Sequence, residues 1–195
     1  AYTAEMSEIY PDGDIYIFCV SDDSLASLLK TIRIKEEALL LHTSGSLPMD
    51  ILKPYSKNYG VLYPVQTFSK KRDLEFDEIP LCIEGSSPNV LGKIKMLAEK
   101  LSGKIYAINS MQRKELHLAA VFACNFPNYL YSVAGKLLEE HGLSFAMLRP
   151  LIFETAHKVM LLTPEEAQTG PARRGDEGIM NMHKSMLKNN KDLLK

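Results

Sequence analysis

Residues 109–142 most limit what this chain can fold into. Asn109 with Gln112 three positions later is a capping-box signal, and His141-Gly142 is a stop signal. Between them runs one helical pattern, about 45 Å long if unbroken at ~1.5 Å per residue. Leu116, Leu118, Ala119, Ala120, Val121, Phe122 and Ala123 cover every side of it, which predicts a helix buried all round. Lys114, His117, Asn125 and Asn128 interrupt the apolar pattern and, at ~100° per residue, fall within an arc of about 80°. An unpaired buried polar group costs on the order of 1–3 kcal/mol. The stripe is therefore either satisfied structurally or turned towards a cleft. Pro127 predicts a kink near residues 123–127, and the carbonyls it frees offer Asn125 and Asn128 a structural role instead.

Upstream of that helix, strand and helix signals alternate. Residues 15–20 and 38–42 are continuous apolar, β-rich runs of the kind buried on both faces in parallel sheets. Residues 59–63, 81–84 and 104–107 add three more strands. Helices are expected from Ser21-Asp22-Asp23, over residues 48–55 and over residues 88–101, while residues 2–10 read as a short helix or loop and residues 64–80 as a loop. This alternation argues for an α/β domain with a largely parallel sheet, whose ligand would lie beyond the carboxyl ends of the strands. Those ends carry Ser21, then His42, Thr43, Ser44, Gly45 and Ser46, then Tyr63 to Gln66. The second group supplies hydroxyls, an imidazole and close backbone approach. The plainer reading is a polar loop whose hydroxyls, Ser46 foremost, cap the next helix. No Gly-x-Gly-x-x-Gly or Walker A pattern occurs.

No strand signal follows residue 107, so residues 1–108 and 109–195 are expected to be separate domains, the second all-helical. Residues 144–162 read as a helix with Pro150 bending or delaying its start. Thr163-Pro164-Glu165-Glu166 is a strong helix start. Residues 168–176 then place two arginines among glycines and a proline. Arg173 and Arg174 are suited to gripping a carboxylate or phosphate. The alternative is a turn with solvated arginines and Asp176 capping a last helix over residues 177–187, where His183 is placed to face back to the loop. No histidine has a second metal ligand at helical spacing, so no metal is expected. A net charge of −1 over 195 residues gives no electrostatic basis for nucleic acid or an anionic membrane. The apolar runs are too short to span a bilayer. Cys19, Cys82 and Cys124 lie scattered within apolar runs, which suggests buried thiols and a reducing cytoplasm. The opening Ala-Tyr-Thr and the closing residues 192–195, which read as part of a further helical turn, suggest a fragment of a longer protein.

Four stretches, His42 to Ser46, Tyr63 to Phe68, Leu116 to Asn125 and Thr169 to Asp176, occur in an order and spacing that resembles a bacterial family of Rossmann-like oxidoreductase homologues with a helical C-terminal domain of unknown function. That family is similar to pyrroline-5-carboxylate reductase, to deazaflavin-dependent NADP reductase and, more distantly, to the 6-phosphogluconate dehydrogenase superfamily. The resemblance implies a Rossmann-like parallel sheet whose first strands, with the Gly-rich fingerprint, are missing from this chain. It also implies an all-α C-terminal domain of the 6-phosphogluconate dehydrogenase type that forms a homodimer, with the substrate cleft between domains. Carried over by position, Ser21 and His42, Thr43, Ser44 and Gly45 would face an NADP (or NAD) cofactor. Ser46, Gln66, His117, Asn125, Thr169, Arg174 and Asp176 would face the substrate. Tyr63-Pro64 departs from the family's frequent His-Pro.

The expected activity is hydride transfer between NADP(H) and a small carbonyl, imine or hydroxy compound. His117 would be the acid/base or orienting group, because histidine titrates near neutrality. Asn125 would fix the substrate, and Arg174 would hold an anionic group on it. The alternative is a dinucleotide-binding or dimerisation module without turnover. A weaker third reading is a hydrolase using Ser44 with His42 or His117.

Overall fold

The computed structural model describes residues 9–188, so the readings for residues 2–8 and 192–195 lie outside the described residues. By packing the chain divides into two compact units, Ala1–Leu130 and Tyr131–Lys195.

The first unit is a mixed α/β sheet of Rossmann-like character. Its strands are β1 (Ile15–Phe18), β2 (Leu39–His42), β3 (Asn58–Pro64), β4 (Leu81–Gly85) and β5 (Ile105–Ala107), lying side by side in chain order. β1 with β2, β2 with β3 and β4 with β5 are parallel, whereas β3 and β4 are antiparallel. The exception has a local cause. The connection over residues 65–80 contains no helix to carry the chain back across the sheet, so β4 returns alongside β3 in the opposite direction.

β2 is buried along its whole length. Its alternation sends Leu39 and Leu41 into a core with Ile83, Val90, Ile94 and Ala98, and Leu40 into a core with Phe18, Leu25, Leu29 and Leu52 on the opposite face. The helices behind these cores are α1 (Asp22–Thr31) and α2 (Pro88–Ala98), the latter capped by the Ser87 hydroxyl. Residues 48–55 form only a 3₁₀ turn, Met49–Leu52.

The predicted long helix is three consecutive segments. α3 (Ser110–Ala120) starts from a complete capping box between Asn109 and Gln112. A π-helical turn, Val121–Asn125, follows, and α4 (Phe126–Glu139) resumes regular winding. The irregularity lies just before Pro127, where a missing backbone N–H relaxes the ladder. Burial all round does not hold. Across the three segments only Arg113 is buried among the described residues. Leu118, Phe122, Phe126 and Leu130, four residues apart, stand exposed as an apolar ridge. The strands end at Ala107, yet packing keeps α3 with the sheet. A division by secondary-structure type and a division by packing therefore fall at different places.

In the second unit Gly142, at φ 67°, follows the end of α4. The predicted helix over residues 144–162 begins with a 3₁₀ turn, Phe145–Leu148, and Pro150 sits in the first turn of α5 (Arg149–Lys158). Thr163 and Glu166 form a capping box on α6 (Pro164–Ala167). The arginine loop contains a short helix, α7 (Pro171–Arg174), closed by Gly175 in the left-handed region, and α8 (Glu177–Met186) follows. None of the described side chains of this unit is buried. Among the described residues no helix is long and apolar enough to cross a membrane.

Candidate functional site

The carboxyl end of β3 and the start of the following loop face the end of α3 and the π-helical turn within the first unit. Between them lies a cleft of about 250 Å³ lined by Tyr63, Gln66, His117, Val121, Cys124 and Asn125. Val65, Thr67 and Ala120 complete the wall. A π-turn winds more slowly than an α-turn, so it changes the angular relation of residues on either side of it. Here it serves a site: His117 before it and Asn125 within it both line the same cleft.

Tyr63 is buried, and its hydroxyl lies 3.1 Å from His117 Nδ1, with the two rings edge to face at 6.0 Å. Burial raises the phenol's pKa and keeps it protonated. Gly45 makes this pairing possible. A Cβ on Gly45 would stand 2.6 Å from His117 Cγ and Nδ1, so any side chain there displaces the imidazole.

Behind the cleft a charged group is sealed in. Arg113 is fully buried and bonds the Glu84 carboxylate, the Leu47 carbonyl and the Ser110 hydroxyl. Glu84 also accepts from the Ser110 amide at 2.9 Å and the Ser110 hydroxyl at 2.8 Å. One cluster thus ties the end of β4, the start of α3 and the loop after β2. The Arg113 Nε–H has no hydrogen-bond partner.

His42 is 1% exposed. Its Nδ1 accepts from the Ser44 amide at 3.2 Å, and Nε2 has no hydrogen-bond partner. Burial first, and the Arg113 charge second, lower its pKa to about 4; the Pro48 carbonyl, Asp22 and Glu84 oppose this without reversing it. An unfolded chain therefore binds a proton at this residue in the window from about 6.5 down to about 4, where the folded chain does not. Stability should fall as pH drops through that window, by roughly 3 kcal/mol once pH is below both values. Urea unfolding of wild type and His42→Gln at pH 7 and pH 4.5 checks this. The variant should lose less stability on acidification than the wild type, and equal losses would show that His42 does not contribute.

Most of the other residues singled out from the sequence are bonded to neighbouring protein groups. Ser44 Oγ accepts from the Ser46 and Leu47 amides at 3.1 and 3.0 Å. It is thus Ser44, and not Ser46, that closes this turn. Ser46 donates to Asp22 at 2.6 Å, Thr43 donates to the Phe18 carbonyl at 3.3 Å, and Ser21 pairs with Ser24 at 2.7 Å. In the second unit Arg174 grips Asp176 through Nε at 2.9 Å and through its terminal nitrogen at 2.8 Å. Asp176 makes no side-chain cap on α8. Arg173 donates to the Glu165 carbonyl at 2.8 Å, and Thr169 offers its carbonyl to Gln168. Cys82 is buried, but Cys19 and Cys124 are exposed, contrary to the expectation of three buried thiols. Among the described residues no three histidine, cysteine or acidic groups stand together as a metal site.

Arg113, Glu84 and Ser110 are the residues sequence reasoning left out, and Tyr63 was placed only at a strand end, without a role. Two had a signal. Glu84 ends a buried strand, and Arg113 lies at the start of an apolar helix, so each needs an opposite charge if buried.

The family defined as domain of unknown function DUF2520 matches residues 79–195. No curated protein matches the chain. Two solved structures are similar. BF3122 of Bacteroides fragilis, named as a candidate NADP oxidoreductase, is 45% identical with a TM-score of 0.94, over 99% of this chain and 75% of that one. The protein TM1727 of Thermotoga maritima is 27% identical with a TM-score of 0.74, over 95% of this chain and 73% of that one. With the family match extending over more than half its length and its Rossmann-like sheet shared with these structures, the chain belongs to the DUF2520 family.

Proposed function

We propose that the chain is part of an NADP(H)-dependent oxidoreductase acting on a small carbonyl, imine or hydroxy compound in the cleft between Tyr63 and Asn125. The observation that carries this is the Tyr63–His117 pair lining a small cleft at the carboxyl end of β3. The name of the Bacteroides fragilis relative supports it.

The residues present fit the nicotinamide end of such a cofactor. Beside the Tyr63–His117 pair the cleft offers a flat ring polar edges from His117, Gln66 and Asn125 and apolar walls from Val65, Ala120 and Val121. When bound, the cofactor supplies or takes the hydride. The start of α1 does not fit the diphosphate: Asp22 and Asp23 occupy its first turn, where their charges repel an anion. The remaining work falls to this chain. Tyr63 holds the orientation of the His117 ring through Nδ1. His117 Nε2 is then the nitrogen available to pass a proton to or from the substrate heteroatom. Gln66 and Asn125 orient the substrate, and Val65, Ala120 and Val121 exclude water.

A homodimer through the second unit belongs to the same reading. Leu151, Phe153, Met160, Leu161 and Met186 are 63–76% exposed, and no described side chain of the unit is buried. Helices without a core do not offset their conformational entropy, so these faces need a cover, and a second copy provides one. Sedimentation equilibrium should give a dimer that Leu161→Glu weakens; a stable, helical monomer at micromolar concentration would overturn this.

The activity test is a steady-state assay of the full-length protein with NADPH and a panel of ketones, aldehydes and imines. Turnover of at least one class is expected. Tight NADPH binding with no turnover would favour the alternative of a dinucleotide-binding module.

A further inference from the structure

We propose that the cleft selects an uncharged ligand carrying a hydrogen-bond acceptor, a ketone, imine or carboxamide, and rejects carboxylates. This rests on the reductase reading for its purpose but not for its evidence. The cleft is walled by neutral groups, with no Lys, Arg, Asp or Glu among its described lining residues. The nearest buried cation, Arg113, is already bonded to Glu84, the Leu47 carbonyl and Ser110. A carboxylate entering the cleft would lose water and gain no counter-charge there.

Among the neutral groups, Gln66 is held with its donor side free. Gln66 Oε1 accepts from the Thr67 amide at 2.8 Å, which leaves the Gln66 NH₂ free to donate. The Tyr63 hydroxyl and His117 Nδ1 pair at 3.1 Å, which leaves His117 Nε2 as the ring nitrogen available to a ligand. The Gln66 NH₂, His117 Nε2 and the Asn125 amide beside apolar Val65, Ala120 and Val121 complement one carbonyl-type oxygen or imine nitrogen on a short carbon chain. A cleft of about 250 Å³ holds roughly eight waters' worth of volume, which sets the ligand at that scale.

Cys124 is exposed and lines the cleft, whereas Cys19 is exposed and is not among the lining residues. Protection from iodoacetamide therefore reads occupancy without any need for turnover, with Cys19 as reference. The full chain is alkylated alone and with butanamide, 2-pentanone or butanoate, and both cysteines are followed by peptide mass spectrometry. Butanamide and 2-pentanone should slow Cys124 while leaving Cys19 unchanged, and butanoate should need at least about tenfold higher concentration for the same effect. Gln66→Ala, in an exposed loop, should abolish the protection without changing the Cys19 rate. Protection by butanoate at equal or lower concentration, or no protection by either neutral compound, overturns the proposal. Protection by the neutral compounds with no NADPH turnover of any carbonyl would leave it standing while the reductase reading fails. Turnover confined to acids, with butanoate protecting, would do the reverse.

Discussion

His117→Ala in the full-length protein should lower kcat/KM for the best substrate by about 10²–10⁴-fold, the range expected when a positioned acid/base is removed. The substitution should leave the fold intact, because His117 is half-buried at the cleft wall and belongs to no core cluster. Two further variants separate a chemical role from a packing role. Tyr63→Phe keeps the ring but removes the hydroxyl that fixes Nδ1, so it should lower kcat by a smaller factor, about tenfold, with KM little changed. Gly45→Ala leaves both partners in place, yet its new methyl would stand 2.6 Å from the imidazole. It should therefore lower kcat/KM through displacement alone. If His117→Ala retains full kcat/KM, the acid/base assignment is wrong and the Tyr63–His117 contact is structural.

Much of this was legible in the residues. Strands such as residues 38–42 read correctly because a strand buried on both faces has a continuous apolar run with no competing helical period. The capping box at Asn109 and that at Thr163 read correctly because each satisfies its own orphan amides within four residues. What failed to show depended on contacts distant in sequence. The antiparallel turn from β3 to β4 followed from what a loop does not contain, not from a signal within either strand. The π-helical turn shifted the angular phase after Val121, so an arc drawn with α-helical winding placed His117 and Asn125 only approximately. Of the stripe, His117 and Asn125 line the cleft, and Lys114 and Asn128 are not among its lining residues. Tyr63 was visible as a strand-end residue and as an exception to a His-Pro pattern, but its partner His117 lies 54 positions away. The loop at His42 to Ser46 carried the expected polarity, but its hydroxyls are spent on backbone amides, on a carbonyl and on Asp22. Composition displays such groups without revealing their bonding.

Arg113→Met should be the most destabilising single change in the first unit, costing about 3–5 kcal/mol, because it leaves the largely buried Glu84 carboxylate without its counter-charge. Glu84→Leu should cost a similar amount by stranding a guanidinium that is 1% exposed. The double variant should recover a large part of either loss, since burying two apolar side chains avoids desolvating two charges, although Ser110 would then lose an acceptor. The chain has no tryptophan, so urea unfolding is best followed by far-ultraviolet circular dichroism. Additive losses in the double variant, or a loss below about 1 kcal/mol in Arg113→Met, would show that the pair is not the fastening. If it is, its value to the site is positional. Arg113 holds the Leu47 carbonyl from the helix that carries His117, and Leu47 closes the turn that carries Gly45. A double variant that regains stability while keeping low kcat/KM would separate the two roles: apolar packing can replace the energy of the ion pair, but not the bond that keeps Gly45 against the imidazole.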